Sequence, residues 1–191
     1  MHPQDFLSKE EFAKLLKAAR TTRERALLLI MAGCGLRVAE TANLKAEDID
    51  QKDGFIYVKG KGSKDRTVVT PNPVFEAIAA LNIAKGPLFP GYQSGHISTW
   101  EIAHLLNQIA TIAGLQEKRP PEKGKTRQRL KITPHLLRHS YASWIIDMGG
   151  NVSDLQSQLG HSSLTITGLY LTRRPNHRRE SFQRIGLDGI V

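Results

Sequence analysis

The sequence predicts a mainly α-helical protein with one small antiparallel β-hairpin or sheet. Apolar residues recur at helical spacing through most of the 191 residues, and only the stretch from residue 55 to residue 70 alternates as β-strands do. Glycines and prolines separate these segments. With 40% hydrophobic and 24% charged residues, the chain is long enough to build one well-packed core or at most two small ones.

The first part of the chain contains three predicted helices. Ser8 begins the first, and Glu11 completes its capping box. The segment RERALLLIMAGC has the composition of a buried helix and is broken by Gly33 and Gly35. A short helix then restarts in LRVAETANL. Arg37 therefore lies at a helix N-terminus, where backbone N–H groups and the helix dipole favour an anion.

The segment GFIYVKGKGSKDRTVVT predicts the hairpin. Phe55–Gly60 and Arg66–Thr70 form its strands, and the chain turns through Gly62 and Ser63. Lys61 lies near the tip, from which a long side chain can reach a ligand.

The second part of the chain is again helical. PVFEAIAAL predicts one helix, and ISTWEIAHLLNQIATIAG predicts a long amphipathic helix that ends at Gly114. Thr133 caps the next helix, with Pro134 at its first position. VSDLQSQL forms a short helix with Gly160 just past its end. Helices that contain Tyr170 and the segment HRRESFQRI close the chain.

The charge of the chain indicates a polyanionic partner, with DNA or RNA first among the candidates. Lys and Arg number 27 against 18 Asp and Glu, which gives a formal net charge of +9. Residues 117–131 are the most biased segment, and their proline and glycine content predicts a mobile basic loop. This loop is either a solvated tether or a set of phosphate contacts. Its basic residues are Lys118, Arg119, Lys123, Lys125, Arg127, Arg129 and Lys131.

Several classes of protein are excluded. There is no run of about 18 apolar residues and no signal peptide at the start, so we expect a cytoplasmic protein without a membrane span. Cys34 is the only cysteine, which rules out an internal disulfide, and its apolar neighbours predict a small buried hydrophobe. The sequence has no cysteine-based metal cluster, no carboxylate cluster for Mg²⁺ and no P-loop. We therefore expect no metal or other cofactor.

The candidate catalytic residues are cationic or imidazole side chains at the ends of predicted elements, together with one phenol: Arg37, Lys61, His135, Arg138, His161 and Tyr170. His135 and Arg138 are three residues apart in one helix and share a face. Taken singly, each candidate has an ordinary interpretation. Arg37 can pair with Glu40, the histidine and arginine can form a solvated face, and a tyrosine between two leucines is most often a core residue.

Taken together, these residue types suit phosphoryl transfer at a phosphodiester without a metal ion. Negative charge accumulates on the nonbridging oxygens, where guanidinium forks bind it directionally. Loss of one preorganised donor of this kind typically costs roughly 10²–10³ in rate. A phenol has a pKa of about 10 and needs a nearby base or a strong positive field to attack. The departing 5′ oxygen needs a proton, which a lysine on a hairpin can deliver.

The ordered set of segments resembles the catalytic domain of the tyrosine recombinase (phage integrase) family. The matching segments follow the family's order from residue 7 to residue 175: GCGLRVAETANLKAEDID, VKGKGSKDRTVVTP, LFPGYQSGHIST, TPHLLRHSYAS and LGHSSLTITGLYL. The pattern includes 23 residues from Arg138 to His161 and nine from His161 to Tyr170. The resemblance implies the tyrosine recombinase catalytic-domain fold.

The resemblance also implies a role for each candidate. Tyr170 is the expected nucleophile, and Arg37 and Arg138 are expected to clamp the scissile phosphate. Lys61 is the expected general acid to the 5′-hydroxyl, and Lys64 is the less favoured alternative.

The remaining candidates have supporting roles. His135 is expected to assist proton removal from the tyrosine, His161 to hydrogen-bond the phosphate, and Glu40 to orient Arg37. Contacts to DNA are expected from basic side chains of the hairpin and the loop: Lys64, Arg66, Lys123, Lys125, Arg127 and Arg129.

The activity implied is site-specific recombination. Duplex DNA would be cut through a 3′-phosphotyrosyl bond and rejoined by the 5′-hydroxyl of a partner strand, without ATP or metal. The chain would be a monomer in solution and a tetramer on DNA. Two other interpretations stay open, an inactive DNA-binding relative and a topoisomerase that only relaxes DNA.

The resemblance leads us to expect one catalytic domain over residues 1–191, without the N-terminal helical domain that closes the clamp around DNA in most members. The helix LSKEEFAKLLKAA resembles the first of the catalytic domain and begins almost at Met1, so the chain is either an excised domain or a naturally short member. The basic loop at 117–131 is longer than usual, and residues 176–191 form a C-terminal helix and tail that can be exchanged between subunits.

Overall fold

The predicted fold class is confirmed in the part of the chain that the structure describes. The computed structural model describes residues 6–60, 65–91, 95–116 and 132–160. Its helices are α1 (Lys9–Ala18), α2 (Thr22–Gly33), α3 (Val38–Asn43), α4 (Asn72–Ala79), α5 (Thr99–Ile112), α6 (Pro134–Asp147) and α7 (Val152–Leu159). Its strands are β1 (Ile49–Asp50), β2 (Phe55–Val58) and β3 (Arg66–Val69), and a short 3-10 helix, Ala46–Asp48, precedes β1.

Local capping signals determine where several of these helices begin and end. Ser8 and Glu11 each accept the other's backbone N–H, at 3.1 and 2.9 Å, which is the predicted capping box. The Thr133 hydroxyl caps α6, and Pro134 occupies its first position. Gly160 ends α7 in the left-handed conformation, with φ of 64°. Each of these signals needs only neighbouring residues, so the sequence was sufficient to predict them.

The sheet has three antiparallel strands in the order β1-β2-β3. The predicted hairpin between β2 and β3 is present, with Ile56 opposite Val68 on the buried face and Tyr57 opposite Thr67 on the exposed face. The strand β1 was not predicted, because two residues cannot show an alternating pattern. Within the described sheet, β3 is an edge strand, and one of its sides is left for contact with a helix.

The helix α2 is central to the hydrophobic core. Its Leu28, Ile30 and Met31 are almost completely buried. Cys34, at its C-terminal cap, has no exposed surface, which confirms the prediction of a small buried hydrophobe. Burial raises the pKa of the Cys34 thiol to about 12, so the thiol stays neutral.

The helix α6 joins the N-terminal segment to the end of α7. The Leu7 N–H donates to the Ser140 hydroxyl at 2.8 Å, and the Trp144 indole N–H donates to the Leu7 carbonyl at 2.9 Å. On another side, Tyr141 and Ile146 form a small apolar cluster with residues of α7. This packing fixes the last turn of α7 beside the candidate site.

None of the described helices is both long and apolar enough to cross a membrane.

Candidate active site

A carboxylate, Glu40 of α3, lies at the centre of the candidate site. Its Oε1 accepts hydrogen bonds from Arg37 Nη1 and Arg66 Nη1, both at 2.9 Å. Its Oε2 accepts from Arg66 Nη2 at 2.9 Å and from the Arg37 backbone N–H at 2.8 Å. Arg138 Nη1 lies 3.9 Å from the same oxygen. Three guanidiniums therefore surround one carboxylate, and the excess of positive charge suits an anionic ligand.

Glu40 stays ionised in this setting. Burial raises the pKa of its carboxyl, but hydrogen bonds from the Arg66 guanidinium and from the Arg37 backbone outweigh burial and lower the pKa to about 2. The carboxylate is consequently a fixed negative charge around which the arginines are arranged.

Arg138 is the inner arginine of the site, and only 5% of its surface is exposed. Its Nη1 donates to the Gly35 carbonyl at 2.6 Å, and its Nη2 donates to the Leu159 carbonyl at 2.7 Å. The second acceptor belongs to the last turn of α7, where helix carbonyls have no partner within the helix and the dipole favours a cation. The two bonds join α6 to the loop after α2 and to the end of α7.

Gly35, whose carbonyl accepts from Arg138, lies where no larger residue fits. Its φ is 66°, which only glycine adopts without strain. A Cβ at this position would lie 2.5 Å from a ring carbon of Tyr141 and 2.7 Å from a methyl of Leu159. The backbone conformation and the close packing of Tyr141 and Leu159 therefore both require glycine at the residue that accepts from Arg138.

Arg37 is the outer arginine, and its side chain is 46% exposed. The ion pair with Glu40 that the spacing predicted is present, and Arg37 Nη2 also donates to the Gly160 carbonyl at 3.3 Å. The backbone N–H of Arg37, which was expected to favour an external anion, instead donates to Glu40. The reason is that Glu40 lies at the third position of α3, from which a carboxylate reaches the N-cap.

A groove of about 1160 Å³ lies over the outer side of this cluster. The lining includes Arg37, Glu40, Lys45, Tyr57, Lys59, Gly60, Arg66 and Gly160. Lys61 and His161 follow Gly60 and Gly160 directly in the chain. The Gly60 N–H donates to the Asp65 carboxylate at 3.0 Å and closes the base of the hairpin loop.

Arg66 and Gln158 have structural contacts that the sequence analysis missed. Arg66 directs Nη1 and Nη2 to Glu40 and its Nε to the Gln158 carbonyl at 2.9 Å. The prediction that Arg66 contacts DNA stays a prediction, and the structure shows its three nitrogens bonded to protein acceptors. A signal was available, because strand alternation places Arg66 on the same face as the buried Val68.

His135 lies on α6 beside a second histidine. Its Nε2 is 2.6 Å from Nε2 of His139, and the two rings meet edge to face. Partial burial lowers the pKa of His135, and the positive charge of Arg138 lowers it further. His135 is therefore mainly neutral at neutral pH and able to accept a proton. The pairing with His139 was missed, although an i, i+4 spacing indicates neighbours on a helix.

The structure thus brings Arg37, Glu40, Arg66 and Arg138 into one cluster, with His135 on the helix that carries Arg138. The other predicted site residues lie outside the described residues: Lys61, Lys64, Lys123, Lys125, Arg127, Arg129, His161 and Tyr170. The basic loop 117–131 and the C-terminal segment 176–191 also lie there. Among the residues that are described, no group of His, Cys, Asp or Glu is arranged to hold a metal ion.

Comparison with known proteins gives consistent matches over most of the chain. Residues 5–177 match the profile of the phage integrase family. The chain is 30% identical over 176 residues to tyrosine recombinase XerC of Syntrophus aciditrophicus, covering 85% of this chain and 53% of that protein. It is 31% identical over 191 residues to tyrosine recombinase XerA of Pyrococcus furiosus, covering 95% of this chain and 62% of that protein.

Comparison with solved structures agrees with these sequence matches. The crystal structure of the XerA recombinase superimposes with a TM-score of 0.77 at 29% identity, covering 96% of this chain and 64% of that chain. The chain spans 53% of the length of the XerC relative and 62% of the length of the XerA relative named above.

Proposed function

The chain belongs to the phage integrase family, and we propose that it is a site-specific DNA recombinase that cuts and rejoins duplex DNA through a 3′-phosphotyrosyl bond. The observation that carries the proposal is the cluster in which Glu40 holds Arg37 and Arg66 and lies beside Arg138. This arrangement preorganises guanidinium donors before a phosphate arrives, which is the condition under which they stabilise a transition state best.

Arg37 and Arg138 bind the scissile phosphate in this proposal. Arg37 is half-exposed at the groove, and its position is set by Glu40 and by the Gly160 carbonyl. Arg138 is held more rigidly by two backbone carbonyls. Guanidinium forks oriented by the protein lose little conformational freedom when they bind the phosphate oxygens.

The Tyr170 oxygen attacks phosphorus, and the bond between phosphorus and the 5′ oxygen breaks. The phenol proton passes to His135, whose lowered pKa leaves it able to accept a proton. Lys61 donates a proton to the departing 5′ oxygen, and His161 hydrogen-bonds the phosphate. One phosphate ester is exchanged for another, so the reaction needs no ATP.

The proposed partner is duplex DNA, bound by four copies of a chain that is monomeric in solution. Lys64, Lys123, Lys125, Arg127 and Arg129 contact DNA phosphates, which position the protein without reading sequence. Residues 176–191 are exchanged between neighbouring copies. The protein acts in the cytoplasm on prokaryotic or viral DNA.

Covalent capture of DNA tests the proposal. The chain is incubated in EDTA and without ATP with a pool of nicked duplexes that carry a random central sequence. We expect a fraction of the pool to stay attached to the protein in denaturing detergent, and its sequence defines the site. Tyr170→Phe should trap no DNA and still bind it.

Tyr57→Phe is the matched control, because it makes the same substitution at a tyrosine that lines the groove beside Glu40. It should trap DNA as the parent chain does. Capture by Tyr170→Phe would disprove the nucleophile, and the absence of capture by the parent chain at low salt would disprove the activity.

A further inference from the structure

The side chain of Gln158 binds the edge of the sheet as a neighbouring strand would. Its amide nitrogen donates to the Val69 carbonyl at 2.8 Å, and its amide oxygen accepts the Val69 N–H at 3.0 Å. A primary amide has the same donor and acceptor as a peptide group, so it pairs with both backbone groups of one strand residue. The helix α7 is thereby attached to strand β3.

A second contact joins the same two elements. Arg66, at the first position of β3, donates from Nε to the Gln158 carbonyl at 2.9 Å. A Cβ on Gly160 would come within 3.1 Å of the Arg66 side chain, so the end of α7 lies directly against this arginine. We call the three residues Arg66, Val69 and Gln158 the clasp.

The clasp links two parts of the proposed catalytic site. The strand β3 is the returning strand of the hairpin that carries Lys61, and α7 ends at the residue before Gly160 and His161. Arg66 also binds Glu40 through both terminal nitrogens. A change in the clasp would therefore alter the position of the hairpin relative to the arginines.

We propose that Gln158 is a positioning residue for DNA cleavage, which holds the lysine hairpin against the phosphate-binding arginines through the clasp. This inference rests on the proposed function. The only strand paired with the outer side of this hairpin in the described sheet is the two-residue β1, so contacts at the free side of β3 contribute to how well the tip of the hairpin is placed. A displacement of roughly 1 Å in a reacting group can cost about 10²-fold in rate.

The test compares Gln158→Leu with Gln156→Leu. The control is matched in residue type, substitution and helix, and the Gln156 side chain makes no hydrogen bond to any residue that the structure describes. The substrate is a duplex with a sequence selected in the capture experiment. Single-turnover cleavage is measured with the normal 5′ bridging oxygen at the scissile phosphate, and again with sulfur in place of that oxygen. A thiolate leaves without a proton, so the sulfur substrate does not need the hairpin lysine.

We expect Gln158→Leu to slow cleavage of the oxygen substrate by about 10-fold or more, and that of the sulfur substrate by less than about 3-fold. Gln156→Leu should leave both rates unchanged. Equal slowing on both substrates, or no slowing, would overturn the proposal. The result does not depend on whether Lys61 or Lys64 is the acid.

Hydrogen exchange of the Val69 amide tests the clasp without DNA. In Gln158→Leu this amide should exchange about 10-fold faster than in Gln156→Leu, because its acceptor is gone. Unchanged exchange would overturn the inference. If the parent chain captures no duplex, the proposed function fails, and this measurement still decides whether the clasp holds the hairpin.

Discussion

Arg138 and Arg37 meet the same carboxylate, but the protein holds the two guanidiniums with different acceptors. The inner arginine, Arg138, is buried and donates to the carbonyls of Gly35 and Leu159. The outer arginine, Arg37, is half-exposed and donates mainly to Glu40. Backbone carbonyls cannot move unless the fold moves, whereas a side-chain ion pair at a surface is easily exchanged for water or for another anion.

The difference indicates two uses of one residue type. Arg138 joins α6, the loop after α2 and the end of α7, so it contributes to the fold as well as to the site. Arg37 pairs with Glu40 in the same turn, makes one longer bond to the Gly160 carbonyl, and retains exposed surface for a ligand. We therefore expect the two residues to have similar effects on cleavage and very different effects on stability.

The largest expected effect separates the two arginines. Arg138→Ala should lower the free energy of unfolding by about 3 kcal/mol, because two buried carbonyls lose a charged donor. Arg37→Ala should lower it by less than about 1 kcal/mol. Both should slow single-turnover cleavage by at least about 10²-fold. Urea denaturation and cleavage are measured on the same preparations, and equal losses of stability would contradict the comparison.

The next effect concerns the carbonyl that holds Arg138. Gly35→Ala should cost about 2–4 kcal/mol, since it adds a steric overlap with Tyr141 and Leu159 to the backbone strain of a positive φ. Gly54→Ala is the matched control, because Gly54 also has a positive φ, 81°, but has no atom within 4 Å of an added Cβ. It should cost about 1 kcal/mol. If both variants lose the same stability, the tight fit at Gly35 is not important.

The contrast between the inner and the outer arginine also explains which features could be predicted from the sequence. The capping box of Ser8, the cap at Thr133 and the left-handed Gly160 depend on neighbouring residues, and all were predicted correctly. The pair of Arg37 and Glu40 was also predicted, because both lie in one turn of α3. Of these features, the pair with Glu40 and the end of α7 at Gly160 belong to the surroundings of the outer arginine.

The contacts of Arg138 and Arg66 could not be predicted from the spacing of residues in the sequence. Arg138 and Gly35 are separated by 103 positions, and Arg66 and Gln158 by 92. Their acceptors are backbone carbonyls, which every residue has and no motif identifies. The resemblance to a family named Arg138 as a candidate, but only the folded chain shows what holds it in place.

A smaller effect is expected from the charge of Glu40. Its folded pKa of about 2 lies below the ordinary value of 4.5, so its contribution to stability is present above pH 4.5 and is lost as the pH falls toward 2. Glu40→Gln should be about 2–3 kcal/mol less stable than the parent at pH 7, and the difference should narrow below pH 4.5. Urea denaturation at pH 7, 5 and 3.5 measures this. The exposed Glu76→Gln is the control, and a pH-independent difference for Glu40→Gln would contradict the prediction.

The smallest effect is the influence of each arginine on His135. Burial and then the charge of Arg138 lower the pKa of His135 from 6.5, and the outer arginine is not among the causes. Arg138→Met should therefore raise the pKa of His135, and burial should still keep this pKa below its ordinary value of 6.5. Arg37→Met should leave it unchanged. The imidazole resonance of His135, followed by NMR from pH 5 to pH 8 in folded samples of both variants, measures the two values. An equal rise in both variants would show that the inner and outer arginines act on His135 as one charge. A rise in Arg138→Met alone would show that the inner arginine helps to keep this histidine neutral and ready to accept a proton.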